Sequence, residues 1–513
     1  MKSLSSQSVR LLPATATLPA VARRVLVIDS EKAPDEAQDA LRDGLAAIRR
    51  EFELPPRFPA QVLEEAEQAA ASAPPDVPDH TKLPLVTLDP PGSMDLDQAM
   101  ALERRSTGGY RVWYAITDVS SFVRPGGALD QEARSRVESF YLPDGRVPLH
   151  PTVLSEGRAS LLPGQDRPAL LWRIDLDSSG DTTAVDVRRA LVRSRAKLDY
   201  PATQRALEEG TAPEPVALLR EIGLLLSDRE VSRGGMSLNA PVQGVVADQD
   251  GGWRLEYKAA LPVEDWNAQI SLLTGMAAAD LMIYGEVGVL RVLPAPDPNT
   301  VNRLRRIARA LKVRWPEGLP YAEMVRRMDA KRPRDLAFLT EATSLLRGAC
   351  YEAFDGEMPA LSGHAALACE YAHVTAPLRR LVDRFGLEVC VALCAGQDPP
   401  AWVCEALPTL PALMEAGDRR AKAVERACVD LAEAVLLRDR VGEVFEGVVL
   451  DLNDRVDWDH NGKPDAGVVM LRDPAVIGRL DGHDLPQGAE LRVRLVSADP
   501  GTRRVLFDWV DAV

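Results

Sequence analysis

The sequence predicts an α+β protein in which a small, mainly helical N-terminal domain and an all-β C-terminal barrel flank a larger central domain. Three observations carry this expectation. The chain has 513 residues, 46% of them hydrophobic, enough apolar side chain for several buried cores and about three domains. The region before residue 80 holds two stretches of helix-forming composition. From Val441 onward the helical period gives way to short runs rich in β-branched residues, broken by turn signals.

In chain order, 24–28 (Arg-Val-Leu-Val-Ile) reads as a strand, 35–52 and 59–71 as helices, and 72–78 as an Ala/Pro-rich linker. A helix-turn-helix-like arrangement suits this unit, bounded at 1–80. Cations concentrate in Arg303, Arg305, Arg306, Arg309, Lys312 and Arg314, then in Arg326, Arg327, Lys331, Arg332 and Arg334. Leu304, Ile307, Ala308 and Leu311 fall at helical spacing among the first group, which makes its arginines the solvated face of a helix rather than a nucleic-acid contact. Residues 398–440 are proline-broken and then helical. Strands follow at 441–450, 466–471, 490–496 and 504–510.

The net charge of -15 excludes indiscriminate binding of polyanions but allows a selective channel. All six cysteines lie at or beyond Cys350 without a Cys-x-x-Cys pair, and Cys390 and Cys394 have helix spacing, so neither zinc nor a disulfide framework is expected. No membrane span is present. The opening residues imitate a signal peptide only faintly, since proline and threonine interrupt the apolar run, and a cytoplasmic protein is expected.

Chemistry first shows in Thr87-Leu-Asp-Pro-Pro-Gly-Ser-Met-Asp-Leu-Asp-Gln-Ala-Met100. Asp95 and Asp97 point to the same side of an extended chain, and the Pro90-Pro91-Gly92 turn can fold Asp89 back toward them. Magnesium is held by a few such carboxylates together with waters and substrate phosphate oxygens, which suits phosphodiester chemistry. An acidic solvated turn is the bland alternative. A second segment weighs against it: Glu370-Tyr-Ala-His-Val-Thr-Ala-Pro-Leu-Arg-Arg-Leu-Val-Asp-Arg384. Pro377 reads as the first residue of a helix with Thr375 as a cap, which puts Arg379 and Arg380 in its first turn. Cations there oppose the helix dipole unless an anion such as phosphate meets them. An ion pair with Asp383 is the plainer account, and it fits Arg380 better than Arg379.

Together these segments resemble the RNase II family, whose catalytic RNB domain has an early aspartate cluster and a late Tyr-Ala-His-x-Thr-Ser-Pro-Ile-Arg-Arg signature. Further similar stretches are Ile116-Thr-Asp-Val-Ser-Ser-Phe-Val-Arg-Pro-Gly126, Tyr141-Leu-Pro-Asp-Gly-Arg-Val-Pro-Leu149, Leu154-Ser-Glu156, Ser194-Arg-Ala-Lys-Leu198 and Val263-Glu-Asp-Trp-Asn-Ala-Gln269, so the resemblance covers about 82–395. It implies an RNB domain of mixed sheet and helices at 81–435 with a helical C-terminal extension. It also implies an S1-type OB domain at 436–513, in which Phe445 is a candidate RNA-facing aromatic. The short N-terminal unit stands where the family usually carries two cold-shock domains.

The implied activity is hydrolytic 3′-to-5′ exoribonuclease action releasing nucleoside 5′-monophosphates. RNA, in the form of single-stranded 3′ ends, is the implied partner, with no protein partner. Asp89, Asp95 and Asp97 would hold Mg2+, with Mn2+ as a substitute, and Asp97 and Arg379 would be the most costly residues to lose. Tyr141 matches the family tyrosine that stacks on a base, and Arg380 would help to bind RNA. The second aromatic of the family's base clamp has no match: 242–246 carries no ring, and Trp253 is left unassigned. The main departure is Gln98, where the family has a fourth aspartate. Gln98 could still ligate through its amide oxygen with lower affinity. The alternative is a catalytically degenerate RNA-binding protein. A deoxyribonuclease is a third class, set apart by whether the 2′-OH is recognised.

Overall fold

The computed structural model describes residues 35–238, 242–247, 253–258, 260–450, 466–471, 473–482, 485 and 488–512. The strand expected at 24–28 lies outside them. The first half holds α1 (Asp35–Glu51), α2 (Ala60–Ala71), β1 (Thr87–Asp89), β2 (Gln98–Arg104), β3 (Tyr110–Thr117), α3 (Ala128–Arg136), β4 (Phe140–Leu142), β5 (Gly145–Val147), β6 (Asp166–Leu176), β7 (Thr182–Arg193), β8 (Lys197–Asp199), α4 (Tyr200–Glu209) and α5 (Leu219–Arg233). Then come β9 (Val242–Ala247), β10 (Trp253–Lys258), α6 (Pro262–Tyr284), β11 (Val287–Val292), α7 (Pro298–Ala310), α8 (Tyr321–Arg326), α9 (Pro333–Ala342), β12 (Cys350–Asp355), β13 (Gly363–His364), β14 (Cys369–Glu370), α10 (Leu381–Cys394), α11 (Ala401–Ala406) and α12 (Leu410–Leu437). The tail is β15 (Val444–Val449), β16 (Ala466–Leu471), β17 (Ile477–Asp481), β18 (Glu490–Asp499) and β19 (Arg504–Ala512).

The central sheet is antiparallel in the order β2-β3-β6-β7, with Met100 opposite Tyr114 and Tyr114 opposite Trp172. Those side chains fill its inner face, where Tyr114 and Trp172 are fully buried beside Ile270 and Ala278 of α6 and Phe385 of α10. A helix apolar on all sides must be covered on all sides. That is the position of α6 and α10, whose buried residues run around their circumference. Gly275 on α6 is what lets the 371–376 segment come close: a Cβ there would lie 2.2 Å from the Tyr371 ring, and Ala372 N–H donates to the Gly275 carbonyl at 3.0 Å.

At the N-terminus the two expected helices form, with Pro59 at the cap of α2. Helix α1 packs on α12, and α2 packs on α3, where Glu65 accepts from the Ala128 N–H at 2.6 Å. The tail closes into the barrel β15-β16-β17-β19-β18, antiparallel except for β17 with β19. Four of its strands fall where the sequence places them. The fifth, β17, was missed because Ile-Gly-Arg-Leu-Asp offers few apolar residues, and its Gly478 is required by a close approach of Phe507, 2.5 Å from any added Cβ. Phe445 corrects another expectation: strand alternation turns it inward, 6% exposed and edge-on to Phe507, so it is a core residue rather than an RNA-facing ring. On α7, Leu304, Ile307 and Ala308 are buried while Arg306 and Arg309 face outward, as their spacing predicts. Cys390 is buried and Cys394 half-buried, and the cysteines are all unbridged. Among the described residues no helix is long and apolar enough to cross a membrane.

Candidate active site

The acidic wall forms because β1 ends at Asp89 and the chain then reverses. Gly92 takes a φ of 84°, and the Ser93 N–H and hydroxyl both donate to the Pro90 carbonyl, at 3.2 and 2.9 Å. The reversal brings Asp89, Asp95 and Asp97 to one pocket, together with Gln98, Tyr200, Asn267 and Arg379. β1 is held in place by parallel pairing with β8, with Asp89 opposite Asp199.

The three carboxylates sit in different fields. Burial, reinforced by the neighbouring Asp95, pushes the Asp89 carboxyl up to about 7 against the opposing pull of Arg379 and Lys197. Burial also raises Asp97 well above the usual carboxylate range, although the Arg379 guanidinium and the Leu378 N–H both favour its charged form. Leu378 N–H donates to Asp97 Oδ1 at 2.8 Å, and Arg379 Nε lies 3.6 Å from Oδ2. Asp95 is ion-paired with Arg146, which also reaches Glu156, and accepts a 3.4 Å bond from the Tyr141 hydroxyl. Tyr141 therefore joins the cluster, while Phe140 beside it is buried in the core, as alternation along the strand predicts.

The opposite side is the strap 375–384. Here the structure corrects the expected helix start: α10 begins at Leu381, and Arg379 and Arg380 precede it. The cause is strand-like pairing with the segment before β4, since Ser139 N–H donates to the Arg379 carbonyl at 3.0 Å and Leu381 N–H to Val137 at 2.9 Å. Arg380 is buried and bound by Asp383 through two bonds of 2.6 and 2.8 Å, the plainer of the two accounts its sequence allowed. Asp383 also takes the Ala376 N–H at 2.7 Å. Gln98 is engaged at both ends of its amide: Nε2 donates to the Thr375 carbonyl, and Oε1 accepts from the Tyr114 hydroxyl.

Sequence reasoning missed Asn267, Tyr200 and Arg146 as site residues. Asn267 and Arg146 stand inside stretches that had been singled out, but neither residue type announces a role. Among the described residues no three carboxylate, imidazole or thiolate groups converge on one ion position. Even so, the donors suit a hard divalent cation. They are oxygens, the carboxylates of Asp89, Asp95 and Asp97 share one pocket, and Asn267 Oδ1 is buried without a partner. Magnesium also keeps water and substrate oxygens in its shell, so a closed protein cage is not required.

Residues 78–386, more than half of the chain, match the RNB domain model, and 443–510 match the RNase II-type exonuclease C-terminal S1 domain. The chain is 29% identical over 434 residues to ribonuclease R of Escherichia coli strain K12, covering 78% of this chain and 52% of that protein. It thus spans about half the length of that relative. The structure of Mycoplasma genitalium RNase R in complex with ribose methylated single-stranded RNA superposes with a TM-score of 0.79 at 18% identity, covering 92% of this chain and 78% of the other. Yeast Ssd1, described as a pseudonuclease, superposes with a TM-score of 0.66 at 16% identity over 90% of this chain and 57% of its own. The fold is therefore shared by proteins with and without nuclease activity. The matched RNB domain, with its aspartate wall and arginine strap in one pocket, and the matched S1 barrel show that this chain belongs to the RNB-domain family of RNase II-type proteins.

Proposed function

We propose that this chain is a hydrolytic 3′-to-5′ exoribonuclease that degrades RNA from single-stranded 3′ ends to nucleoside 5′-monophosphates. The observation that supports it most is the meeting of Asp97 with Arg379: one side chain from the acidic wall and one from the strap, 3.6 Å apart in a pocket lined by carboxylates. RNB-family nucleases are generally dependent on divalent metals, and magnesium is the ion proposed here, held by Asp89, Asp95 and Asp97 with Gln98 at the same wall. When bound, the metal supplies an activated water and neutralises charge at the scissile phosphate.

The protein's own residues do the rest. Arg379 grips non-bridging phosphate oxygens with its planar fork, where charge grows in the transition state. Asp97 aims that fork by holding the Leu378 N–H and facing the guanidinium. Tyr141 offers its ring to the terminal bases and has its hydroxyl tied to Asp95, and the buried Arg380–Asp383 pair keeps the strap rigid. The S1 barrel extends the RNA path. The second reading, an RNA-binding descendant without catalysis, is favoured by Gln98 in place of a carboxylate.

A time course on 5′-labelled RNA with Mg2+, beside Asp97→Asn protein and DNA of the same sequence, tests the proposal. Progressive shortening of RNA by the wild type alone is expected. RNA that is bound but stays full length, with Mn2+ giving no rescue, would leave the second reading. Equal loss of DNA would make the chain a general phosphodiesterase.

A further inference from the structure

Two amides face the pocket, and the protein uses them in opposite ways. Gln98 is committed at both ends. The Thr375 carbonyl can only accept, so Nε2 must point at it, which leaves Oε1 for the Tyr114 hydroxyl. The Thr375 hydroxyl is fixed in turn by Ser271 of α6 at 2.9 Å. A carboxylate at 98 would set oxygen against the Thr375 carbonyl and release the strap.

Asn267 is the converse case. It is 2% exposed, its Nδ2 donates to the Tyr200 hydroxyl at 3.1 Å, and its Oδ1 has no partner although it belongs to a residue lining the pocket. A buried acceptor left alone is costly, so something that donates or carries positive charge should meet it. With Asp89, Asp95 and Asp97 lining the same pocket, a cation suits that place better than a neutral donor.

We propose that Asn267, through Oδ1, supplies the fourth oxygen of the divalent-cation site, and that Gln98 is a positioning residue that holds the strap and Arg379. The fourth oxygen has thus moved from strand β2 to helix α6. This rests on the metal-assisted reading above, and the Asn267 part of its test needs no turnover.

Mn2+ is titrated into the full chain and the free ion is followed by electron paramagnetic resonance, with a metal-free melting curve for every variant. Asn267→Leu should raise the Mn2+ Kd on the order of 10- to 100-fold, and Asn267→Asp should lower it. Gln98→Met should move the Kd by no more than roughly threefold, yet lower both the melting temperature and the single-turnover rate on RNA. Tyr114→Phe should lower the melting temperature similarly, and the double variant should melt no lower than the worse single one. Gln98→Glu should destabilise without tightening Mn2+.

Unchanged Mn2+ affinity in Asn267→Leu, or tighter binding in Gln98→Glu with none in Asn267→Asp, would overturn the proposal and return the fourth oxygen to position 98. If Asn267→Leu does not fold, Asn267→Asp still decides. A wild-type chain that binds no Mn2+ would sink the metal reading itself, which is a different failure.

Discussion

The acidic wall and the strap meet in one pocket but handle charge in opposite ways. Along 87–98 like charges are gathered and buried, so that Asp89 and Asp97 hold their protons far more tightly than ordinary carboxylates. Along 375–384 opposite charges are matched: Asp383 answers Arg380 and the Ala376 N–H, and Arg384 is paired with Asp130 at 2.7 Å. The difference teaches what each part is for. A frame can satisfy its own charges. The wall is matched only in part, since Asp95 has Arg146 and Asp97 faces Arg379 while burial weighs on Asp89, and a wall meant to receive a cation carries that cost in stability until the cation arrives.

The largest expected effect comes from breaking the frame. Asp383→Ala strands a buried guanidinium and should remove about 3 to 5 kcal/mol of unfolding free energy in denaturant melts. A loss under about 1 kcal/mol would mean that the pair behaves like a surface ion pair. Arg379→Ala removes the buried cation facing Asp97 and should cost stability, though less than Asp383→Ala, while slowing single-turnover hydrolysis of RNA on the order of 100- to 1,000-fold. If the two variants lost stability and rate in the same proportion, the contrast between frame and working group would fail.

The wall responds to pH with a definite sign. Asp89 holds its proton up to about 7 in the folded protein, against 3.8 as an ordinary carboxylate. The folded state therefore binds more protons between those values, and this group's contribution to stability falls as pH rises through them. Asp89→Asn should make the metal-free protein more stable at pH 8 by up to a few kcal/mol, with the advantage vanishing near pH 4. Added Mg2+ should stabilise the wild type more than the variant. Equal melting at both pH values would refute this account.

The histidines act in the opposite direction. Burial, with nearby arginines, lowers His150 and His364 to about 4 and His373 well below its usual value. Each is neutral when folded and protonated when unfolded below about 6.5, so each removes about 1.4 kcal/mol per pH unit as pH falls from there. His364→Phe, beside the Tyr371 ring, should reduce that acid slope by one proton in denaturant midpoints taken between pH 5 and 6.5. The smallest expected effect is at the surface. Breaking the exposed Arg42–Asp39 pair should change stability by less than about 0.5 kcal/mol.

Much of this was legible in the sequence, for physical reasons that vary by residue. The Pro-Pro-Gly turn and two-residue spacing dictate that Asp89, Asp95 and Asp97 share a wall. The periodicity of α7 and the composition of α1 and α2 likewise fix those helices. The start of α10 was misread because Pro377 is as suitable for a turn as for a first helical residue, and only pairing with Val137 and Ser139, far away in the chain, decides between them. Asn267 was not legible as a site residue. An unpartnered amide oxygen is a property of its surroundings, and the surroundings are Tyr200 and the wall.

The bonds from Leu378 to Asp97 and from Gln98 to Thr375 span 281 and 277 residues of chain. The turn of the wall and the ion pair of the strap are local, but the two halves cannot be joined locally, and each contact between them waits on closure of a very long loop. The helices and the barrel can form from near neighbours, but the pocket comes into being only when partners 277 or more residues apart in the chain meet. A newly made chain therefore lacks a working pocket until its strap has docked on the wall.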